Sequence, residues 1–269
     1  MWKGKNVTVF VTGGIAAFKA ATLVRLFVKA GANVEVAMTK SACEFITPLT
    51  FQVLTKNKVH IDTFDEDEAN KVQHIHLADQ TDVAIVVPAT ANTIAKMANG
   101  IADNFVTSTL LATTAPIYVV PAMNEHMWEN PATVRNVKQL VEDGKSVIEP
   151  ATGFLAEGYT GKGRLPEPEE IFEQITFLES KRVSKSPLKG KSVLITAGGT
   201  KERIDPVRYI SNDSSGKMGY ALARAAAVLG AEVQLISTTK QLKVPYGVQV
   251  TYVESALEMH DVVTHLFPK

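Results

Sequence analysis

Two stretches of the chain, VAIVVPA (83–89) and PIYVVPA (116–122), are apolar without alternation, and each closes on Pro-Ala. A strand with one wet face alternates polar and apolar side chains. A run that never alternates fits a strand covered on both faces, the condition of a central parallel strand. Two earlier runs, NVTVFVT (6–12) and NVEVAMT (33–39), flank a helical stretch from about Ile15 to Ala30. Its residues Ile15, Thr22, Leu23, Leu26, Phe27 and Ala30 follow three-to-four spacing, and Gly31 stands where the helix ends. Strand, helix and strand in repetition predict an α/β fold: a doubly wound parallel sheet in three layers, flavodoxin-like or Rossmann-like. Ligands in such sheets bind beyond the carboxyl ends of the strands. The segments that follow the strands are therefore the ones to inspect: TGG, MTKSA, PATANT and PAMNEHM.

A second copy of the opening pattern follows a break in composition. LESKRVSKSPLKGKS (178–192) is rich in Lys and Ser and reads as a linker over 179–190. After it SVLITAGG resembles TVFVTGG, and LARAAAVLGAEVQLIST echoes LVRLFVKAGANVEVAMT. This predicts a first domain over 1–178 and the start of a second Rossmann-like domain over 191–269. The second copy holds about fifteen extra residues, TKERIDPVRYISNDSS, between its glycines and its helix, and a βα loop of that length is usually functional or disordered. Two strands and one or two helices are expected before Lys269, too few to bury much core.

Charge narrows the partners. Lys plus Arg and Asp plus Glu stand at 28 each, so no basic excess marks a nucleic-acid binder. No apolar run reaches the roughly 20 residues of a membrane helix. The opening MWKGKNVTVFVTGG enters a strand directly, without a signal-peptide layout. The expectation is a cytoplasmic protein acting on a small molecule, with no nucleic-acid or membrane partner. Cys43 is the only cysteine, which excludes an internal disulfide; it falls in the predicted helix after the second strand and reads as buried packing.

Each segment after a strand carries two readings. Gly13 and Gly14 can take positive φ and bring backbone amides to an anion, or simply make a tight turn; the segment is not GxGxxG. Thr39, Lys40 and Ser41 suit a phosphate, or cap the next helix. Pro88 is expected to stop its strand. Ala89 and Ala91 admit a flat ligand, and Thr90, Asn92 and Thr93 can read its edge or cap a helix. Asn124 presents an amide, while Met123 suits the core. His74 and His76, in QHIHLAD, are spaced for one face of a strand. No third ligand accompanies them, so a metal is not expected; imidazole also suits proton transfer. GFLAEGYTGKGR (153–164) is either a loose loop or a lid with Glu157 at its centre.

Taken together, the glycine turn, HIHL, PATANT and PAMN, in this order, resemble the flavin-dependent cysteine decarboxylases. ISNDSSGKMG, after the linker, is similar to the ligase half of the bifunctional members of that family, which serve coenzyme A synthesis. The resemblance covers essentially the whole chain and implies FMN as cofactor. It implies FMN-dependent decarboxylation of 4′-phosphopantothenoyl-L-cysteine to 4′-phosphopantetheine, a carboxy-lyase activity. FMN would be held by Gly13, Gly14, Ile15, Thr39, Ser41, Thr90, Ala91, Asn92, Thr93 and Ala122. His74 matches the family's catalytic histidine. Met123 and Asn124 match the residues that meet the substrate carboxylate, and Ala156 and Arg164 belong to a substrate clamp. The family's clamp is close to ACGDxGxGR, with a cysteine as final proton donor; here AEGYTGKGR puts Glu157 in that place. Glu157 could donate the proton with a pKa raised by burial. Tyr159 or water could donate it instead, or the enzyme could release the enethiol. In the second domain Gly198, Gly199, Ser214, Ser215 and Gly216 resemble a nucleotide site, and Asn212 matches an asparagine tied to an acyl-cytidylate; CTP and Mg2+ belong to a complete ligase domain. The family's later segment with its CTP-binding lysine does not follow before Lys269, so no ligation is expected of this chain alone. The resemblance also implies a homotrimer or a trimer-based dodecamer. A peptidyl-cysteine decarboxylase, a flavin-binding regulatory subunit without turnover and a flavin prenyltransferase are the rival readings.

Overall fold

The computed structural model describes residues 1–64 and 72–267. The chain divides into two compact units, Met1–Phe172 and Glu173–Lys269. Lys269, where the second domain was bounded, lies outside the described residues.

In the first unit the chain runs β1 (Asn6–Val11), α1 (Ala17–Lys29), β2 (Asn33–Met38), α2 (Lys40–Cys43), α3 (Pro48–Thr55) and β3 (Val59–His60). It continues through α4 (Gln73–Gln80), β4 (Val83–Ala89), α5 (Ala91–Ala98), α6 (Phe105–Ala112), β5 (Ile117–Pro121), α7 (Glu125–Glu129), α8 (Pro131–Glu142) and β6 (Ser146–Val147). These six strands form one parallel sheet in the order β3-β2-β1-β4-β5-β6. The order reverses between β1 and β4, which is where a doubly wound sheet opens a crevice. The two runs without alternation are central strands as expected: every residue of β4 and of β5 is buried. Each large side chain so buried contributes roughly 1.5–3 kcal/mol relative to exposure.

Local details depart from the sequence reading. Helix α1 turns Ala17, Ala20, Leu23, Val24 and Phe27 inward, while Ile15 is 62% exposed and precedes the helix. Phe27 meets Trp2 and Phe172 edge-on, both with ring centroids 4.9 Å apart. Gly31 does end the helix, at φ +86°. Strand β4 does not stop at Pro88 but continues to Ala89, because a register shift between Val86 and Ala89 frees the position that has no N–H to donate. QHIHLAD is helix α4, not a strand: Leu77 and Ala78 are its buried residues, and the helical spacing of His74 from them outweighed the spacing of two. On a helix His74 and His76 point to different sides, which removes the geometry of a metal pair.

After β6 come two short antiparallel strands, β7 (Ala151–Phe154) and β8 (Thr160–Arg164). The glycine-rich stretch is thus a hairpin rather than a loop. Helix α9 (Pro168–Val183) follows, with Glu169 and Glu170 in its first turn and Lys181 and Arg182 in its last, each suited to the helix dipole. The stretch read as a linker from 179 is helical as far as Val183.

The second unit contains β9 (Ser192–Ala197), β10 (Lys201–Arg203), β11 (Tyr209–Ser211), α10 (Lys217–Val228), β12 (Glu232–Ser237), β13 (Val248–Tyr252) and α11 (Ala256–Leu266). It has more strands than the expected two, with two helices. A parallel sheet β13-β12-β9 carries a core around Ala197, Tyr220, Ala223, Val233 and Leu235. The long insertion is ordered as the antiparallel hairpin β10–β11. Gly219 is required where α10 crosses β9, since a Cβ there would lie 2.6 Å from the Cβ of Ala197.

Candidate functional site

The carboxyl ends of β1, β2 and β4 surround a cleft of about 540 Å³, within the range of small-molecule sites. Gly13, Thr39, Ser41, Thr90, Asn92 and Thr93 line it, six of the ten residues expected to hold a cofactor. Gly14, Ile15, Ala91 and Ala122 do not line it. Gly13 is needed for closeness rather than for positive φ, which neither Gly13 nor Gly14 adopts: a Cβ on Gly13 would lie 2.5 Å from the Cβ of Ser41. Thr39 caps α2, its hydroxyl accepting from Ala42 N at 3.2 Å and keeping its own proton to donate. Thr90 caps α5 in the same way, accepting from Thr93 N at 3.3 Å. Capping and ligand reading thus coexist at both turns.

A residue the sequence reading passed over joins the strand ends. Thr12 is fully buried; its hydroxyl donates to the Pro88 carbonyl at 2.5 Å and accepts from Thr90 N at 3.1 Å. It thereby fixes the end of β1 to the end of β4 across the switch point. The signal was present in VTGG as a threonine directly after the strand and before the glycine turn. Lys96 and Phe105 were also missed. Lys96 Nζ reaches both carboxylate oxygens of Asp103, at 2.9 and 2.6 Å, and that pairing holds the Asp103 carboxyl below its ordinary range.

His74 sits beside this cleft. Its ring meets Phe105, a lining residue, edge-on with centroids 6.4 Å apart. His74 Nδ1 is buried without a hydrogen-bond partner among the described residues. A buried polar atom without a partner costs free energy, which marks the position as one prepared for a further contact. Cys43, expected to be buried, is half-exposed at the end of the four-residue α2. Burial and then the neighbouring Glu44 carboxylate push its thiol above the ordinary value.

A second cluster forms around Asn124. Its side-chain oxygen caps α7 by accepting from His126 N at 2.9 Å. Its amide donates to Glu157 Oε1 at 3.0 Å and to Tyr159 Oη at 2.8 Å. Asn124, Glu157 and Tyr159 are therefore in direct contact, a grouping the sequence placed 33 residues apart. Glu157 and Ala156 are exposed at the tip of the hairpin, so burial does not act on Glu157 in this chain. Arg164 is engaged with Glu167, which also pairs with Lys19. Met123 packs against the core beside β4 and β5, as its side chain predicted.

In the second unit Gly199, Asn212, Ser214 and Ser215 line a cleft of about 900 Å³ with Lys217 and Lys240. Gly198 (φ +93°) and Gly216 (φ +74°) stand beside it, each pressed against the Thr238–Thr239 turn, and a Cβ on Gly199 would collide with Asn212. Asn212 Oδ1 accepts from Ser214 N at 3.1 Å. No helix among the described residues is long and apolar enough to cross a membrane, and no group of three metal-ligating side chains occurs among them.

A sheet of this order with a polar cleft at its switch point defines the class of doubly wound α/β proteins that take a ligand beyond their strand ends. The chain belongs to the flavoprotein family, whose model matches residues 1–178; residues 188–269 match the DNA/pantothenate metabolism flavoprotein C-terminal domain. It is 51% identical over 270 residues to the coenzyme A biosynthesis bifunctional protein CoaBC of Bacillus subtilis (strain 168), covering 99% of this chain and 66% of that protein. It is 47% identical over 266 residues to the protein of that name from Mycobacterium tuberculosis, covering 98% of this chain and 63% of that protein. The chain thus spans just under two thirds of the length of these relatives. Among solved structures it is similar to a PPC decarboxylase variant complexed with pantothenoylaminoethenethiol (31% identity, TM-score 0.60, 66% of this chain and 99% of that one). It is also similar to the FMN binding protein AtHal3 (32% identity, TM-score 0.58, 65% and 97%).

Proposed function

We propose that the first unit decarboxylates 4′-phosphopantothenoyl-L-cysteine to 4′-phosphopantetheine with FMN, as a cytoplasmic step of coenzyme A synthesis. The observation that carries this reading is the cleft at the switch point, with His74 Nδ1 left without a partner beside it. The residues present fit FMN: hydroxyls and a close-packed glycine at the strand ends, a lysine at the rim, and no bulky side chain from Gly13, Gly14 or Ala91. Thr39, Ser41, Thr90, Asn92 and Thr93 would hold it. When bound, FMN would supply a hydride acceptor for the cysteine side chain, which would make the carboxylate labile, and then a hydride donor for the last step.

The chain's own residues orient the substrate and manage its protons. His74 moves a proton at the reacting carbon or sulfur, its ring kept in place by Phe105. Asn124 meets the substrate carboxylate with the amide that now donates to Glu157 and Tyr159, so substrate replaces these partners. The hairpin closes over the bound molecule, and its Glu157 or Tyr159 supplies the last proton. Exposure of Glu157 favours a second reading, in which the reduction lapses and the enethiol leaves as product. The cleft of the second unit supports CTP-dependent joining of 4′-phosphopantothenate and cysteine by the whole protein. Exposed Ile15, Phe18 and Leu49, at 62%, 59% and 63%, support burial of that face in a homotrimer or an assembly of trimers.

The test is colour and product. Purified protein is expected to be yellow with FMN and to release CO2 from the substrate. Colourless protein that cannot be loaded with FMN, or loaded protein without CO2 release, would sink the reading. Mass analysis of the product separates 4′-phosphopantetheine from the enethiol.

A further inference from the structure

The outer edge of β8 is closed by the turn that carries Asn124. Met123 N donates to the Gly163 carbonyl at 3.1 Å, and Lys162 N donates to Glu125 Oε1 at 2.8 Å. A strand edge ordinarily meets the backbone donors and acceptors of a neighbouring strand. Here one partner is backbone and the other is a carboxylate in the place of a strand carbonyl. The approach is too close for side chains on β8. A Cβ on Gly161 would lie 2.7 Å from Oε2 and 2.8 Å from Cδ of Glu125, and one on Gly163 would collide with the Met123 carbonyl. Both glycines of the TGKGR stretch are therefore explained by this docking, and Gly163 also holds φ +154°.

The contact matters because of what each side carries. Glu125 is the first residue of α7, directly after its cap Asn124. Strand β8 leads back into the hairpin tip, from which Glu157 and Tyr159 reach the Asn124 amide. Two short strands alone are marginal in water, so the hairpin depends on such edge contacts for its position.

We propose that Glu125 is a positioning residue: its carboxylate holds the hairpin in register against the Asn124 turn and so keeps Glu157 and Tyr159 beside Asn124, at its amide in this structure and within reach of a molecule that takes their place there. The role is exerted through the Lys162 amide. It rests on the decarboxylase reading only where turnover is measured.

The experiment uses the full chain loaded with FMN. Amide hydrogen exchange is followed across Thr160–Arg164 in the wild type, Glu125→Ala and Glu125→Gln, with kcat and KM for 4′-phosphopantothenoyl-L-cysteine alongside. Loss of a charge-assisted hydrogen bond is expected to speed exchange at Lys162 by about tenfold to a hundredfold in Glu125→Ala. The kcat is expected to fall about tenfold while KM stays within about twofold, since transition-state geometry rather than ground-state affinity is disturbed. Glu125→Gln keeps an oxygen acceptor and is expected to restore most of both. A third variant, Gly161→Ala, is expected to speed exchange in the wild-type background and to add nothing to Glu125→Ala, because the carboxylate it would strike is gone. Unchanged exchange or unchanged kcat in Glu125→Ala would overturn the proposal, as would equal behaviour of the Gln and Ala variants. If exchange responds as expected but even the wild type releases no CO2, the positioning role stands and the decarboxylase reading falls.

Discussion

The cleft and the hairpin of the first unit hold their polar groups by different means. In the cleft, Gly13, Thr39 and Thr90 sit at the ends of strands that are buried on both faces, and Thr12 ties two of those ends together from within the core. Their positions are set by the sheet itself. In the hairpin, Glu157 and Tyr159 stand at an exposed tip and meet Asn124 through single hydrogen bonds. Their positions rest on two glycines and one carboxylate at a strand edge. A site built on strand ends cannot be altered without disturbing the fold, whereas a site built on a docked hairpin can change its chemistry at little cost.

Substitutions can sharpen or break this contrast. The largest effect is expected at His74, which lies at the cleft yet would serve the chemistry: His74→Asn should stay yellow and lose CO2 release by about a thousandfold. Loss of colour would instead make His74 part of the cofactor cradle. Next, Gly13→Val should destabilise by about 3 kcal/mol and abolish flavin retention, since even its Cβ would lie 2.5 Å from the Cβ of Ser41 and against the Ser41 backbone. Denaturant titration and absorbance measure the two together, and a stable yellow variant would break the claim that the sheet sets this turn. Thr12→Val keeps the shape but removes the hydroxyl between Pro88 and Thr90, with an expected loss of about 2 kcal/mol in the same titration. The smallest effect on stability is expected at the hairpin: Glu157→Gln should shift it by less than about 0.5 kcal/mol and leave the flavin in place. Its product should move from phosphopantetheine toward the enethiol; normal phosphopantetheine formation would remove Glu157 as the donor.

Much of the sheet was legible in the sequence because continuous apolar runs have few physical solutions. VAIVVPA and PIYVVPA declared central strands, and the turns after them had to face the crevice. The helix at QHIHLAD was not legible by spacing of two, because burial of Leu77 and Ala78 decided its conformation and not the histidines. The hairpin was hidden for a related reason. Its strands carry Gly153, Gly161 and Gly163, which have low strand propensity; Gly161 and Gly163 let the backbone of β8 approach the 123–125 turn closely, and Gly153 leaves room for the Arg164 side chain. The second unit was underestimated where TKERIDPVRYISNDSS folds back on itself, an antiparallel pairing that charge and polarity concealed. Strand SVLITA shows the limit of pattern matching: it echoes NVTVFV, yet among the described residues it pairs with β12 alone and is largely half-exposed, where its counterpart lies between two neighbours and is buried.

Cys43 carries a consequence for life under chemical stress. It is the only sulfhydryl in the sequence, its Sγ donates to the Thr39 carbonyl at 3.6 Å, and partial burial and then the Glu44 carboxylate raise its pKa above the ordinary value. Oxidants and alkylating agents attack the thiolate. With a carboxylate at the hairpin tip and Cys43 as the sequence's one thiol, the molecule offers thiol-directed alkylating reagents no quick target. Protein treated with iodoacetamide should therefore keep its turnover, a tolerance that a clamp working through sulfur would not share.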